Sequence, residues 1–391
     1  MASKGDPKGS SAGVSDLEPF ELERFFAKWE FCASHLLCCS DCEPLAVKDL
    51  LAHADSECLE LWDNLVLGYT MSTGSDELRK EIAGLYDTVG VDEINVVVPE
   101  EGIYLSMIAL LKQGDHVVVT FPGYQSLYEI ARSLGCHLHY WKPRSDEHGQ
   151  LSFCVDDLNS ILDENPVKLV VMNFPHNPTG KSLTTEQHAA VVGKCKEKNA
   201  YLFGDEMYRL LEYEPSCRLK SNVDCYDKAI ILSGVSKALS CPGLRIGWIA
   251  SHDKQFMSRL AELKDYTTIC PSGPSEVLAL MAIRQADRIV KNNLDIIKEN
   301  IALLVSFIGK YSQQIKWDPP QAGSIAFPKI VTDKPIDAFC EDLVKKQDVL
   351  LLPSTVYGDK TFAKDKRVRF GLGRKGISEG LERLGRFLEE C

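Results

Sequence analysis

Short apolar runs alternate with helix-like segments through the middle of the chain. The apolar runs at residues 94–98, 116–120, 137–141, 168–172, 200–203 and 228–232 predict strands. The segments between them predict helices at residues 101–111, 124–134, 155–162 and 186–198. Strands that alternate with helices over this length predict a largely parallel sheet covered on both faces. The predicted fold class is therefore α/β.

The two ends of the chain follow a different pattern. Residues 17–37 carry aromatic side chains among charges and predict a packed arm, residues 45–51 predict a short helix, and Ser75 is placed to cap a helix that runs to about residue 86. Helices are also predicted at 254–264, 276–285 and 289–309. We therefore predict a disordered segment at 1–15, an arm at 16–60 that joins a smaller domain, a large domain at 61–288 and a small α+β domain at 289–391.

Composition narrows the class of protein. The chain has 391 residues, of which 45% are hydrophobic and 26% are charged, which is typical of a soluble globular protein of about two domains. No apolar run approaches the roughly 20 residues that span a bilayer, and residues 1–15 lack the apolar core of a secretory signal. We therefore expect a cytoplasmic protein with no membrane partner. The net charge of −12 disfavours nucleic acid, because binding the phosphate backbone requires a basic face.

The chain is rich in cysteine. Fourteen cysteines without a secretory signal indicate reduced thiols rather than disulfides. His35, Cys38, Cys39 and Cys42 are ligand types at close spacing, but a structural zinc site usually pairs such a cluster with a second one. Since the sequence shows no second cluster, we expect no metal and predict buried or pocket-lining thiols.

Residues 233–248 carry the strongest candidate chemistry. Lys237 stands just past a predicted core strand, among small residues that leave room beside its amine. Such a lysine can be desolvated, which favours its neutral form and makes it a nucleophile toward carbonyl groups. Arg245, eight residues later, offers forked donors suited to a phosphate. Together they are what anchoring a phosphorylated aldehyde requires, although on this stretch alone a surface lysine in a loop stays open.

Two further candidates follow other predicted strands. Asn177 lies in the turn NPTG, and Asp205 follows the next strand, where a half-buried carboxylate is costly unless it meets a cation. A plain turn and a helix cap are the structural alternatives. Because ligand sites in parallel sheets lie beyond the carboxyl ends of the strands, we expect Asn177, Asp205 and Lys237 to lie together.

In combination these motifs resemble the class I and II aminotransferases. The resemblance rests on NPTG at 177–180, DEMY at 205–208, and SK at 236–237 followed by GLRIGW at 243–248. It implies the fold type I, aspartate aminotransferase-like architecture, with pyridoxal 5'-phosphate as the cofactor. The N-terminal arm, PEEGI at 99–103 and VRFGL at 368–372 are similar to the branch that contains capreomycidine synthase.

The resemblance implies a role for each matching residue around the cofactor ring. Lys237 would form the internal Schiff base and move the proton, and Asp205 would pair with the pyridine nitrogen. Tyr208 and Asn177 would hydrogen-bond the phenolic oxygen, and Tyr124 would stack on the ring.

The resemblance also implies how the phosphate is held. Arg245 would bind it, with the hydroxyl of Ser233 or Ser236 in place of a serine that the family often has at position 234. The helix start would offer the backbone of Glu101 and Gly102, although Glu100 would repel phosphate unless it points away. Tyr69 matches a tyrosine that reaches the phosphate from the other subunit, which implies a homodimer.

For the substrate, the resemblance points to the arm and to a C-terminal strand. Arg369 would grip the α-carboxylate bidentately, and Lys28, Cys39 and Asn177 would line the pocket. Arg367 and Arg374 are possible rivals of Arg369, and we predict that both are surface charges.

The resemblance implies an aminotransferase that moves the amino group of an α-amino acid to a 2-oxo acid. A lyase or cyclase of the capreomycidine synthase type and a non-catalytic binding module are the alternatives. Apolar and basic substrates are equally open.

Overall fold

The centre of the molecule is a seven-stranded sheet. A computed structural model describes residues 16–147, 149–358 and 364–390, so the disorder predicted for residues 1–15 lies outside the described residues. In chain order the strands of this sheet are β1 (Ile94–Val97), β2 (His116–Thr120), β3 (His137–Trp141), β4 (Val167–Asn173), β5 (Tyr201–Asp205), β6 (Ala229–Gly234) and β7 (Gly247–Ser251).

The order of the strands across the sheet is β1–β7–β6–β5–β4–β2–β3. The pairs β3–β2, β2–β4, β4–β5 and β5–β6 are parallel, whereas β7 runs antiparallel to both β1 and β6. The prediction of a largely parallel sheet is confirmed. The antiparallel strand β7 was not predicted.

Helices cover the sheet, as predicted. Ser75 caps one of them by accepting a hydrogen bond from the backbone N–H of Leu78 at 3.4 Å. The described helices of five residues or more are Glu21–Trp29, Val47–Leu51, Ser56–Asp63, Asp76–Ala83, Pro99–Leu110, Ser126–Ser133, Val155–Glu164, Thr185–Lys198, Lys254–Lys264, Gly273–Arg284, Ala286–Lys310, Ile336–Gln347 and Ile377–Glu389. None of the described helices is both long and apolar enough to cross a membrane.

The two faces of the sheet pack into different parts of the core. On β6, Ile230 and Leu232 belong to one buried cluster and Ile231 to another. This alternation follows from the pleat, because successive strand residues point to opposite faces. Both faces are apolar, which explains why the strands read as continuous hydrophobic runs.

Several short strands lie outside the central sheet. Val368–Gly371 pairs antiparallel with both Ile325–Ala326 and Leu352–Pro353, and the arm strand His35–Leu36 pairs parallel with Val349–Leu350. The arm therefore packs, as predicted. Two further pairs are Arg144–Ser145 with Leu151–Ser152 and Ile315–Lys316 with Lys329–Ile330.

Candidate active site

A cleft of about 400 Å³ opens beyond the carboxyl ends of β5 and β6. Its walls come from these strand ends, from the arm, from the start of the helix Pro99–Leu110 and from the strand Val368–Gly371. The predicted site residues that line it are Cys39, Tyr124, Asn177, Asp205, Tyr208, Ser236, Lys237, Arg245 and Arg369. The fold thus brings together residues that are up to 330 positions apart in the chain.

Lys237 follows the end of β6 and points its amine into this cleft. Its Nζ donates a hydrogen bond to Ser40 Oγ at 2.9 Å and lies 5.9 Å from the centre of the Tyr208 ring. Burial lowers the pKa of the Lys237 amine, and the charge of Arg369 lowers it further, while Asp41 opposes the change. The neutral, nucleophilic form of the amine is therefore more accessible than in a lysine exposed to water.

Asp205 is the last residue of β5 and is only 6% exposed. One carboxylate oxygen accepts a hydrogen bond from the Met207 backbone N–H at 3.1 Å. Burial raises the pKa of Asp205 to about 7, although this hydrogen bond and the charge of Lys237 both act to lower it. A cation brought into the cleft would favour the ionised carboxylate.

Two hydroxyl groups in the cleft have no hydrogen-bond partner among the described residues. They belong to Tyr208, which is 3% exposed, and to Ser236. Burial raises the pKa of Tyr208 to about 12, so its hydroxyl keeps its proton. Because a buried polar group without a partner costs about 1–3 kcal/mol, these hydroxyls indicate that the cleft is built to hold a polar ligand.

Tyr124 and Glu100 lie beside each other in the cleft. The Tyr124 hydroxyl is 3.5 Å from a Glu23 carboxylate oxygen, and its ring centre is 5.0 Å from that of Phe20. Burial raises the pKa of Glu100, whereas the Tyr124 hydroxyl and the charge of Arg245 act to lower it. Glu100 therefore does not point away from the cleft.

Arg245 is exposed at one edge of the cleft and has a left-handed backbone conformation, with φ at 56°. Its Nη1 donates to the carbonyl of Pro242 at 3.0 Å. Its other donors bond no acceptor in the part of the chain that the structure describes, so they can bind an anion.

Arg369 is 1% exposed and faces the cleft from the strand Val368–Gly371. Its Nε donates to the Cys38 carbonyl at 3.0 Å, and its Nη1 donates to Tyr357 Oη at 3.1 Å and to Asn177 Oδ1 at 3.4 Å. Among the described residues it forms no ion pair with a carboxylate. A buried guanidinium without a carboxylate is suited to bind one from a ligand.

Cys39 and its neighbours form a buried thiol cluster. Cys38, Cys39 and Cys42 are all buried, and Cys39 lines the cleft, so the predicted placement of these thiols is confirmed. A hydrogen bond with Cys38 lowers the pKa of the Cys39 thiol, and the charges of Arg374 and Arg369 add to this effect.

The prediction of a surface charge is wrong for Arg367, whereas Arg374 is partly exposed at the wall of the cleft. Arg367 is buried; it pairs with Asp365 and donates to the carbonyls of Phe327 and Gly149 at 3.0 and 2.9 Å. Arg374 lines the cleft and forms a forked pair with Asp41, Nε to Oδ1 at 3.1 Å and Nη2 to Oδ2 at 2.8 Å. No local signal in the sequence indicated these surroundings, because the carbonyls that Arg367 bonds and the Asp41 that pairs with Arg374 are distant in the chain.

Five other predicted residues do not line the cleft. Ser233 lies by Trp248 in a separate small cavity, and the Glu101 carboxylate accepts hydrogen bonds from Thr268. The remaining three are Gly102, which packs against the sheet, Lys28, which pairs with Glu341 at 2.9 Å, and Tyr69, which is 92% exposed.

Sequence reasoning missed Ser40, Asp41 and Tyr357. Ser40 accepts the Lys237 hydrogen bond, Asp41 holds Arg374, and Tyr357 supports Arg369 and Asn177. The loop at 38–43 was expected to line the pocket, but no local signal distinguished its serine and aspartate from surface polar residues.

Comparison with known proteins covers most of the chain. A family model described as aminotransferase class I and II matches residues 46–384. Capreomycidine synthase of Streptomyces vinaceus is 28% identical over 320 residues, which are 82% of this chain and 80% of that protein. Aspartate aminotransferase of Sulfurisphaera tokodaii is 27% identical over 334 residues, 82% of each chain.

Solved structures show the same architecture. A PLP-dependent aminotransferase from Streptococcus suis 89-1591 superposes with a TM-score of 0.87 at 27% identity, covering 96% of this chain and 98% of that one. The PLP-dependent cyclase OrfR superposes with a TM-score of 0.85 at 25% identity, covering 97% of this chain and 100% of that one.

Proposed function

Because the chain belongs to the class I and II aminotransferases, we propose that it moves the amino group of an α-amino acid to a 2-oxo acid. The family uses pyridoxal phosphate, and the fold is the fold type I architecture of these enzymes. We assign the cofactor to the cleft described above, with Lys237 as the residue that binds it covalently.

The residues of the cleft fit this cofactor. A volume of about 400 Å³ lies within the range of small-molecule sites. Asp205 offers a buried carboxylate for a protonated ring nitrogen, and the free hydroxyls of Tyr208 and Ser236 offer hydrogen bonds. Arg245 has donors for the phosphate, and Tyr124 offers an aromatic face. The Nδ2 group of Asn177, which donates to no acceptor among the described residues, can bind the ring oxygen.

The proposed chemistry divides between the cofactor and the chain. Bound pyridoxal phosphate withdraws electrons from the substrate and makes the proton on its α-carbon acidic. Once the amino group of the substrate has displaced it, the amine of Lys237 would be free to take that proton and pass it on, and burial and the charge of Arg369 shift this amine toward its neutral form. Arg369 orients the substrate by its α-carboxylate, and Asp205 keeps a positive charge at the far edge of the ring.

One observation carries the proposal. A lysine amine, a carboxylate that is 6% exposed and a guanidinium that pairs with no carboxylate among the described residues line a single cleft. A structural role for all three would leave the charges of Asp205 and Arg369 without opposite partners in a buried place, which is costly.

The test is a half-reaction with a single amino acid. Purified protein loaded with pyridoxal phosphate is mixed with one amino acid at a time, and the cofactor absorbance and the 2-oxo acid are measured together. Transamination predicts equal amounts of the pyridoxamine form and of the 2-oxo acid. Lys237→Ala should abolish both, whereas Lys228→Ala, on the segment before β6 and outside the cleft, should not.

A second candidate is supported by similarity to capreomycidine synthase and to the PLP-dependent cyclase. An elimination or cyclisation would use the same Lys237 amine and the same α-proton. It would release ammonia or a cyclised product with no build-up of the pyridoxamine form, and that result in the same assay would replace transamination.

A further inference from the structure

One wall of the cleft is a single face of the helix Glu21–Trp29 and the residue that follows it. Leu22, Glu23, Phe26 and Glu30 all line the cleft. Glu23, Phe26 and Glu30 are spaced by three and four residues, which places them on one face of a helix. This face combines two carboxylates with two apolar side chains.

Neither of the two carboxylates is held in an ion pair among the described residues. Within residues 16–147, 149–358 and 364–390, neither Glu23 nor Glu30 lies within ion-pair distance of a lysine, arginine or histidine. A carboxylate oxygen of Glu23 accepts a long hydrogen bond from the Tyr124 hydroxyl, at 3.5 Å. Burial raises the pKa of Glu30; the charge of Arg374 acts to lower it, and the negative charges of Asp41 and Glu23 add to the rise.

Arg374 and Arg369, which both line the cleft, differ in whether a carboxylate pairs with them. Arg374 is held by both carboxylate oxygens of Asp41, so its forked face is already used. Arg369 forms no such pair and, under the proposed function, binds the α-carboxylate. Beyond that carboxylate, the side chain of a substrate therefore meets the charges of Glu23 and Glu30 beside a neutralised Arg374–Asp41 pair.

We propose that the substrate is an α-amino acid whose side chain ends in a positive charge. Glu23 and Glu30 would hold the charged end, and Phe26 and Leu22 would pack on the apolar stem. This inference rests on the proposed function, which places the α-carboxylate on Arg369. The unpartnered hydroxyls of Tyr208 and Ser236 independently mark the cleft as a ligand site.

Other substrate classes fit the wall less well. A dicarboxylic amino acid would bring a second carboxylate toward Glu23, Glu30 and Asp41, and the arginine near them is already paired. An apolar side chain would cover Glu30 without offering it a partner, which costs free energy.

The test compares side chains that have a similar shape and a different charge. Holoenzyme is titrated with L-arginine and with its neutral isostere L-citrulline, with L-lysine and L-norleucine, and with L-glutamate. Apparent affinity is read from cofactor absorbance and kcat/KM from product. We expect each cationic amino acid to bind about tenfold or more tightly than its neutral partner, since one ion pair in a partly buried site is of this order.

Four variants locate the effect. Glu30→Gln and Glu23→Gln should each reduce the preference for L-arginine over L-citrulline several-fold and leave KM for L-citrulline nearly unchanged. Glu21→Gln, on the same helix but outside the cleft, should keep the preference. Asp41→Asn should free the guanidinium of Arg374 and increase the relative affinity for L-glutamate.

The outcomes separate this inference from the proposed function. If L-citrulline, L-norleucine or L-glutamate binds as well as the cationic amino acids, the charge preference is wrong and the proposed transamination stands. If the cationic amino acids bind best but are eliminated or cyclised, the inference stands and the proposed function fails. If none of the five changes the cofactor absorbance, the inference is overturned, and a wider panel of amino acids then tests the proposed function.

Discussion

The charge of Asp205 is expected to destabilise the cofactor-free protein and to serve the enzyme once the cofactor is bound. Its carboxylate is raised to a pKa of about 7 by burial, from 3.8 in the unfolded chain. The folded state therefore binds the Asp205 proton more tightly than the unfolded chain does. The contribution of Asp205 to the free energy of unfolding is fully present below pH 4 and is lost as the pH rises through 7. Under the proposed function, the same charge would gain a cationic partner, the ring nitrogen of the cofactor.

We predict that Asp205→Asn stabilises the cofactor-free protein by about 2–4 kcal/mol at pH 8 and abolishes most of the activity. Asparagine keeps an acceptor for the Met207 N–H and removes the buried charge. The measurement is urea unfolding of both apoproteins at pH 8 and at pH 5.5. An advantage that does not shrink at the lower pH would contradict the assigned cause.

Site residues that lie in a short sequence motif were predictable, whereas those whose partners are distant in the chain were not. Asn177, Asp205 and Lys237 each follow a strand within a short motif, and all three line the cleft. Arg374 gave no such signal, because the Asp41 that pairs with its charge lies 333 residues away. Pairing over such a distance depends on how the chain folds back, which side-chain type alone does not encode.

At the scale of elements, the start of the helix Pro99–Leu110 combines two effects that oppose each other. Free backbone N–H groups and the helix dipole favour an anion there, whereas Glu100 adds a negative charge inside the cleft. The neighbouring Glu101 turns its carboxylate to Val98 N–H at 3.2 Å and to Thr268. Adjacent glutamates thus face different surroundings.

We predict that Glu100→Gln lowers the dissociation constant for pyridoxal phosphate about threefold to tenfold, because a like charge is removed from the anion site. The raised pKa of Glu100 makes the gain larger as the pH increases. Absorbance titration of the apoprotein measures it. Glu101→Gln serves as the matched control and should leave the affinity unchanged; equal effects of both variants would show that Glu100 does not act on the phosphate.

A second element-level feature is the close approach of Gly371 to the arm. Its backbone N–H donates to the Leu37 carbonyl at 2.7 Å, and a Cβ at this position would collide with the Cys39 carbonyl. The arm segment that meets this strand also carries the Cys38 carbonyl bonded to Arg369 and the Ser40 hydroxyl bonded to Lys237.

We predict that Gly371→Ala destabilises the protein by about 1–3 kcal/mol and raises KM, because the arm must move away from the cleft. Thermal unfolding and steady-state kinetics measure the two effects. Gly309→Ala provides the control: this helical glycine has open space around its Cα, so alanine should be neutral or slightly stabilising. A Gly371→Ala variant with normal stability would contradict the tight packing.

Strand prediction succeeded where a run is apolar and bounded by turns. His116–Thr120 and His137–Trp141 were predicted with the bounds that the structure has. The antiparallel strand Gly247–Ser251 was missed, because its glycine and small residues give a weak local signal. Its place is determined by pairing with β1 and β6 on both sides, which is a tertiary effect.

At the scale of the whole molecule, a run of exposed apolar side chains implies a partner. Val66, Leu67 and Tyr69 are 82%, 83% and 92% exposed and adjoin one another in the chain. Neighbouring apolar residues with this exposure are typical of an interaction surface. We propose that a second copy of the chain covers them, so that Tyr69, which is absent from the cleft of its own chain, reaches the site of its partner.

We predict that the protein is a dimer and that Leu67→Glu converts it to monomers with weaker cofactor binding, because a charge cannot be buried at that surface without a partner. Light scattering with size-exclusion chromatography gives the mass, and absorbance titration gives the affinity. Val305→Glu, at an exposed position on the helix Ala286–Lys310, should leave both unchanged. A wild-type protein that is monomeric at every concentration would refute the proposal.

The parallel pairing of His35–Leu36 with Val349–Leu350 has a consequence for biosynthesis. His35 leaves the ribosome 314 residues before its strand partner, which at typical translation speeds is a delay of about 15–60 s. Ser40, which follows this strand, cannot settle beside Lys237 until the pairing forms. The strands of the central sheet, which end at Ser251, are therefore made first, and the arm can complete the cleft around Lys237 only after Leu350 has been added.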